Sequence, residues 1–541
     1  MEFYGLIASF TGFVGTRISE FGGHLVALIT VTNMLILFGS TILGIVFGAM
    51  PGLTATLGVA LLTTLTYGID HNTAFIALLA IYVGAVYGGS YSSILLNIPG
   101  TAAAAATAVD GYPLALKGEG GRALGMTTTA SLIGTVFGLL CLVLVAPVII
   151  DLALNFTTFE KFWLAMFGII ISGTLTSKDL VYKGWIAGLI GLWLSTIGQE
   201  QLQTFPRYTQ DFPDLQGGIA VVPVLIGAFG IPQIIKVLGH KLGIEKPMDL
   251  KRILPELKTI GRNLHHILRS SSIGVFIGSI PGIGEDIAGW VSYGVAKNTS
   301  SHPETYGTGE VEAVVSTECA NNACIGGALI PLLTLGIPGS PPAAMLLGAL
   351  MLHNVTPGPM IEFEHPGFIM SFTAILLLAA IAMWMSGMVL ARQVVKVLRI
   401  PPALFMPIIG VLCVLGSYSL GLQIVNLYLM VIVGIAAYFL TEMEYPIAPL
   451  VIGVILGPMA DENLRRGLMV AGGDVTEFFT RPWCIGLLTI IALTIISQIP
   501  AVRRYRSSAW DKFMGNTKAG GRAIRASGEN FESGIPFWLE P

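Results

Sequence analysis

Long apolar stretches separated by short polar clusters fill most of the chain. They run over His24 to Phe47, Leu53 to Tyr67, Ala74 to Leu96, Leu124 to Ile150, Phe162 to Thr176, Gly184 to Ile197 and Ile219 to Ile235. After a polar interval they resume over Gly367 to Leu390, Ala403 to Leu420, Leu427 to Leu440 and Pro482 to Ile499, while Ala448 to Met459, with Gly453, Gly457 and Pro458, reads as short or re-entrant. At about 20 residues per crossing these fit roughly 10 to 12 spans or half-spans. The pattern predicts an all-α, polytopic membrane protein.

Within this pattern one phrase is written twice. GIVFGAMPGL (Gly44 to Leu53) precedes YGGSYSSILLNIPGTAAAAATAVDGYP (Tyr87 to Pro113), and GVFIGSIPGI (Gly274 to Ile283) precedes ECANNACIGGALIPLLTLGIPGSPPAAMLLGALM (Glu318 to Met351). Each copy sets a GxxxGxxPG block before an Ile-Pro-Gly-hydroxyl block, so the order itself argues for internal duplication. The repeats extend over Gly44–Pro113 and Gly274–Pro359. Pro removes a backbone donor and Gly tolerates the turn that follows, so each block predicts a broken helix. In lipid such breaks survive only where the freed backbone faces protein, water or a ligand. A packing kink explains any one of them; four, in corresponding halves, point to a transport site.

Composition agrees: 53% of residues are hydrophobic and 11% charged, against roughly a quarter charged in soluble domains. The five cysteines are scattered, with no CxxC pair, and suit small packing roles. The N-terminus carries Glu2 and no basic run, which disfavours a cleaved signal peptide and suggests a short interfacial segment.

Charge gives sidedness. Lys236, Lys241, Lys246, Lys251, Arg252, Lys258, Arg262 and Arg269 lie against only Glu245, Asp249 and Glu256, so this linker is expected in the cytoplasm. A nucleic-acid role for it is not expected. The organisation predicted is a first membrane half over 1–235, a basic cytoplasmic linker over 236–269, a second half over 270–500 and a basic cytoplasmic tail over 501–541. The first repeat exits at the Lys117 loop, inside, and the second at His353 to His365, which has no Lys or Arg and reads as outside. Equal order with opposite exits predicts inverted-topology repeats. Arg465, Arg466 and Arg481 fall awkwardly on the outer side.

Half-helices beginning after Pro99-Gly100 and Pro338-Gly339 would aim free N–H groups at a shared cavity, an anion site suited to carboxylates. Thr101 and Ser340 stand where N-caps or ligands would. Each helix end contributes roughly 0.3 to 2 kcal/mol toward an anion, less than an uncompensated buried charge costs. Yet no Lys or Arg occurs between Arg17 and Lys117, and only Lys297 between Arg269 and Arg392. A multiply charged anion therefore calls for a mobile cation, and symport is expected. Ser90, Asn97, Asn321, Asn322 and Thr334 offer oxygen ligands; Glu285, Asp286 and Glu318 are embedded ionisable candidates, for capping or for function.

At these residues, and along MPGLTATLGVALL and IPGIGEDIAGWVSYGVAKNTSSHPETYGTGEVE, the sequence resembles the large membrane subunit of tripartite tricarboxylate transporters, the TctA family of bacterial permeases. The likeness covers the chain to about residue 420 and leaves the tail after Arg503 aside. It implies a di- or tricarboxylate importer of the bacterial inner membrane, no enzyme, driven by an ion gradient (Na+) with no bound cofactor. It further implies a small membrane subunit (TctB-like) and a periplasmic solute-binding protein (TctC-like), with a homodimer as a possible assembly. By resemblance the substrate lies at Gly52, Asn97, Gly100, Thr101, Asn321, Asn322, Gly339 and Ser340, with Thr54 beside them where many members carry a second Gly. The coupling-ion set is Ser90, Asn97, Asn322, Thr334 and Asp286.

Other classes fit less well. No Lys follows a Gly, so GxxxxGK[ST] is absent. Gly282-Ile283-Gly284-Glu285-Asp286 has Glu where an intramembrane aspartyl protease has Asp, and no Tyr-Asp pair, HExxH or GxSxG occurs. An anion channel or a non-transporting scaffold are the remaining alternatives.

Overall fold

The computed structural model describes residues 20–177, 180–200, 202–209, 212–239, 253, 257–419, 421–498 and 502. The expected interfacial N-terminal segment, much of the basic linker and nearly all of the tail lie outside them. The body runs to Leu488, and a separate unit begins at Thr489. Among the described residues nine helices are long and apolar enough to cross a membrane. The chain is an all-α, multi-pass membrane protein.

The first half is built from α1 (Val31–Ala49), α2 (Ala55–Leu65), α3 (His71–Leu96), α4 (Ala105–Leu116), α5 (Gly120–Ala153), α6 (Thr158–Thr176), α7 (Val181–Ser195) and α8 (Val221–Gly239). The second half repeats the series as α9 (Leu264–Gly278), α10 (Gly284–Thr299), α11 (Val311–Leu335), α12 (Pro341–Leu352), α13 (Phe368–Val389), α14 (Met406–Ser419), α15 (Ile424–Glu442) and α16 (Ile447–Val470). A final helix, α17, covers Pro482–Ser497.

Small residues fix the directions. Gly84 stands against Thr41 and Gly88 against Ile45, so α1 and α3 are closely packed and parallel. The intervening α2 must run backwards, which makes α1 and α2 a re-entrant hairpin with its tip at Met50–Thr54. Gly274 meets Ala320 and Gly278 meets Cys324, so α9, α10 and α11 repeat the arrangement. Helix α5 opposes α3, with Gly120 beside Leu95 and Tyr87 bonded to Thr128 at 2.6 Å. It runs along α11, where Gly134 meets Cys319 and Gly138 meets Ala323. Helices α3 and α11 are therefore antiparallel, and the repeats are inverted.

Packing is exchanged between the halves. Helix α5 lies on α11 as α13 lies on α3; α7 packs on α16 as α15 packs on α8; α2 touches α12 as α10 touches α4. At the centre, α3 is 94% buried over its most apolar window. A helix apolar on every side suits either lipid or a protein interior, and here protein surrounds it.

Two expectations are corrected. The stretch from His24 to Phe47 is not one helix: it breaks at Ile29–Thr30, where the Thr30 hydroxyl accepts from the Asn33 amide at 3.2 Å. Ala448–Met459 is not short or re-entrant but part of α16, which continues through Pro458 to Val470. Polar pairs one turn apart carry the helix onward: Asp461 with Arg465 at 3.0 Å and Glu462 with Arg466 at 2.5 Å. These pairs also explain the awkward arginines, since each is neutralised, and Arg481 pairs with Glu477 at 3.0 Å. The second half's first helix begins at Leu264 and the first half's last helix reaches Gly239, each inside the range read as linker.

Candidate functional site

The four breaks are built in matching pairs. Gly52 and Gly282, at the hairpin tips, have φ of 89° and 80°, a left-handed conformation that side-chain-bearing residues adopt at a cost. Helices α3 and α11 end on left-handed residues too, Asn97 at φ 55° and Gly336 at 71°. Each chain then turns back through Ile-Pro-Gly into a new helix. A Cβ on Gly100 would land on the Gly48 carbonyl, and one on Gly339 on the Gly278 carbonyl. Gly100 and Gly339 are thus close-approach positions between the two blocks of each repeat.

These turns surround one cavity of about 170 Å³, lined by Thr54, Ala55 and Thr56; by Thr101, Ala102 and Ala103; by Glu285 and Asp286; by Pro341 and Pro342; and by Val86, Phe229 and Gln233. The first four groups open α2, the turn leading into α4, α10 and α12. Four helix amino ends, two from each repeat, meet at one space. Their unpaired N–H groups and dipoles create a positive field there. The hydroxyls differ in use: Thr54 accepts from the Leu57 amide at 3.1 Å and Ser340 from the Ala343 amide at 3.3 Å. Thr101 makes no cap bond, and its Oγ1 is buried without a partner.

Glu285 and Asp286 place two carboxyl groups in that field. Tyr82, on α3, donates to the Glu285 carboxylate and lies 3.0 Å from Ser340 Oγ. It thereby ties repeat 1 to both half-helices of repeat 2.

Thr54, Thr101 and Asp286 line the cavity themselves, and Ser340 adjoins its lining at Pro341. Gly52 is two positions before the lining residue Thr54, against Gln233 and Val237. Asn321 donates to the Ala103 carbonyl, in the wall, at 3.3 Å. Asn97 is the C-cap of α3, while Gly100 and Gly339 hold backbones together. Thr334 bonds within its own helix, to the Ile330 carbonyl at 2.7 Å. Ser90 and Asn322 belong to a second polar cluster, around Glu318. Tyr82, Phe229, Gln233 and Thr56 were missed. Tyr82, Phe229 and Gln233 come from helices outside the breaks, and only the fold brings them near; Thr56 had a signal, two positions after Thr54.

A polytopic chain with two inverted repeats, each broken twice around one central cavity, has the architecture of a secondary transporter. The chain belongs to the tripartite tricarboxylate transporter TctA family, whose model matches residues 34–452. It is 33% identical over 487 residues to a protein of Agrobacterium vitis described as an uncharacterized 52.8 kDa protein in the TAR-I ttuC' 3' region, covering 89% of this chain and 96% of that one. It is 34% identical over 238 residues to an uncharacterized protein in the TAR-II ttuC' 3' region of the same organism, covering 44% of this chain and 98% of that one. No solved structure matches significantly.

Proposed function

We propose that this chain is the large permease subunit of a binding-protein-dependent secondary transporter, importing a di- or tricarboxylate by Na+ symport through alternating access. It works in the bacterial inner membrane with its C-terminus in the cytoplasm. A small membrane subunit assists it, and a periplasmic binding protein delivers the substrate. The observation that supports this reading is the meeting of four helix amino ends at one cavity, a field suited to carboxylates. The volume, below the roughly 300 Å³ of a drug-sized site, suits a small solute. An anion entering beside Glu285 and Asp286 meets like charge unless a proton or a cation neutralises these carboxyls, which adds to the cation requirement.

The test is uptake into proteoliposomes holding the permease and its small partner. Radiolabelled citrate, tartrate and succinate are each presented with the purified binding protein. Uptake that requires an inward Na+ gradient and the binding protein supports the proposal. Passive anion conductance without either would show a channel, and no flux of any carboxylate would leave a scaffold.

A further inference from the structure

Apart from the cavity, the membrane core holds a second buried carboxylate. Glu318, on α11, is 0% exposed. Thr107 of α4 donates to its Oε1 at 2.6 Å and Ser131 of α5 to its Oε2 at 3.1 Å. Ser90 of α3 lies beside it without a close hydrogen bond, and Asn321 adjoins it. Asn322 directs its side-chain N–H groups at Ser131 Oγ at 2.9 Å, Asn321 Oδ1 at 2.6 Å and the Glu318 carbonyl at 3.1 Å, while its own Oδ1 is buried without a partner. Among the described residues no ion pair includes Glu318.

Three helices of the first half and one of the second thus bring hydroxyl, amide and carboxylate oxygens to one point. A lone carboxylate among neutral groups is an expensive arrangement in a membrane core unless its charge is balanced. Hard oxygen donors in this number suit an alkali or alkaline-earth cation, not a transition metal. One formal negative charge balances one positive charge. Asn321 links the cluster to the cavity wall through Ala103, and Thr107 follows Thr101 on the same repeat-1 segment, so occupancy here stiffens the wall the substrate meets.

We propose that Glu318, with Ser90, Thr107, Ser131 and Asn322, binds the sodium ion whose occupancy prepares the cavity for its anion. The coupling role rests on the transport reading above; the binding itself does not.

The experiment measures thermal unfolding of the purified full-length chain at constant ionic strength, exchanging choline for Na+ or K+, together with binding of radioactive 22Na+. The wild type is expected to bind 22Na+ and to gain at least ~3 °C as Na+ reaches ~100 mM, with no comparable gain from K+. Glu318→Gln, nearly isosteric and uncharged, should lose both signals, and Glu119→Gln, a half-buried carboxylate paired with Arg122 away from this cluster, should keep them. Should Glu318→Gln fail to fold, Thr107→Val and Ser131→Ala replace it, with the Na+ midpoint raised about threefold or more. Retained 22Na+ binding in Glu318→Gln, equal stabilisation by all three cations, or stabilisation by lowered pH alone would overturn the proposal; the last would make Glu318 a proton site. If sodium binding maps to Glu318 but no carboxylate is taken up, only the transport reading falls. Uptake with sodium binding indifferent to Glu318→Gln removes this inference and leaves transport standing.

Discussion

Thr101 and Ser340 occupy equivalent places after the two Ile-Pro-Gly turns, yet their hydroxyls do different things. Ser340 caps the Ala343 amide and meets Tyr82, so its oxygen is committed to the fold. Thr101 Oγ1 is buried, borders the cavity and has no partner. Removing a bonded cap costs about 1 kcal/mol, whereas replacing an unpartnered hydroxyl by a methyl of the same shape is close to neutral. Ser340→Ala is therefore expected to lower the thermal midpoint of the purified protein, and Thr101→Val to leave it within error. If the Thr101 hydroxyl is held for a ligand, Thr101→Val should instead raise the half-saturating substrate concentration by roughly 5- to 30-fold, about 1 to 2 kcal/mol. A destabilised Thr101→Val with unchanged affinity would assign both hydroxyls to structure.

At the scale of elements, the hairpin tips depend on glycines that leave no room for a side chain. A Cβ on Gly48 would collide with the Ala85 backbone, and one on Gly278 with the Cys324 carbonyl. Gly39, on the same helix as Gly48, has nothing within 4 Å. Gly48→Ala and Gly278→Ala should each destabilise by about 1 to 3 kcal/mol through overpacking, seen as loss of monodisperse protein in detergent, with Gly39→Ala unaffected. Equal tolerance of all three would mean that these helices do not pack as described. The glycine spacing and the Pro-Gly breaks are local, which is why the repeats, the re-entrant turns and the meeting of their amino ends could be read from the sequence. What could not be read was non-local. Tyr82 lies in an apolar run with nothing to mark the face that reaches Glu285, 203 positions away. Thr107 and Glu318 meet only because the halves exchange helices. Arg465 and Arg466 looked like loop charges because loop tallies ignore partners one helical turn away.

Inverted repeats give the whole molecule two related ends, and the two ends are fastened differently. At one, Asp110 on α4 is 1% exposed and accepts from the amides of Gly307, Gly309 and Glu310, each at 2.8 Å, and from the Tyr293 hydroxyl at 3.1 Å. This carboxylate holds the segment between α10 and α11. In the other repeat, just past the end of α12, the contacts are of another kind: His353 meets Thr66 at 3.3 Å and sets its ring against Phe75, centroids 5.6 Å apart. Hydrogen bonds to a charged acceptor contribute about 1.5 to 3 kcal/mol each and an ordinary one about 1, so the Asp110 carboxylate is a strong fastening of its own end. In the proposed orientation that end, next to Lys117, faces the cytoplasm. Under the proposed alternating-access cycle, the Asp110 clamp would release on the inward half. Asp110→Asn keeps the size but exchanges one acceptor oxygen for a donor facing N–H groups, and should shift the population toward inward-open. In an otherwise cysteine-free protein, Ala313→Cys reports this, because Ala313 is 1% exposed beside Tyr306 under the clamped segment. Labelling of that thiol by an impermeant maleimide in inside-out vesicles is expected to rise by about tenfold when Asp110→Asn is added, equivalent to about 1.4 kcal/mol. His353→Ala, at the opposite end, should leave the rate unchanged or lower it. An unchanged rate in Asp110→Asn would show that this carboxylate holds a static loop and takes no part in the cycle.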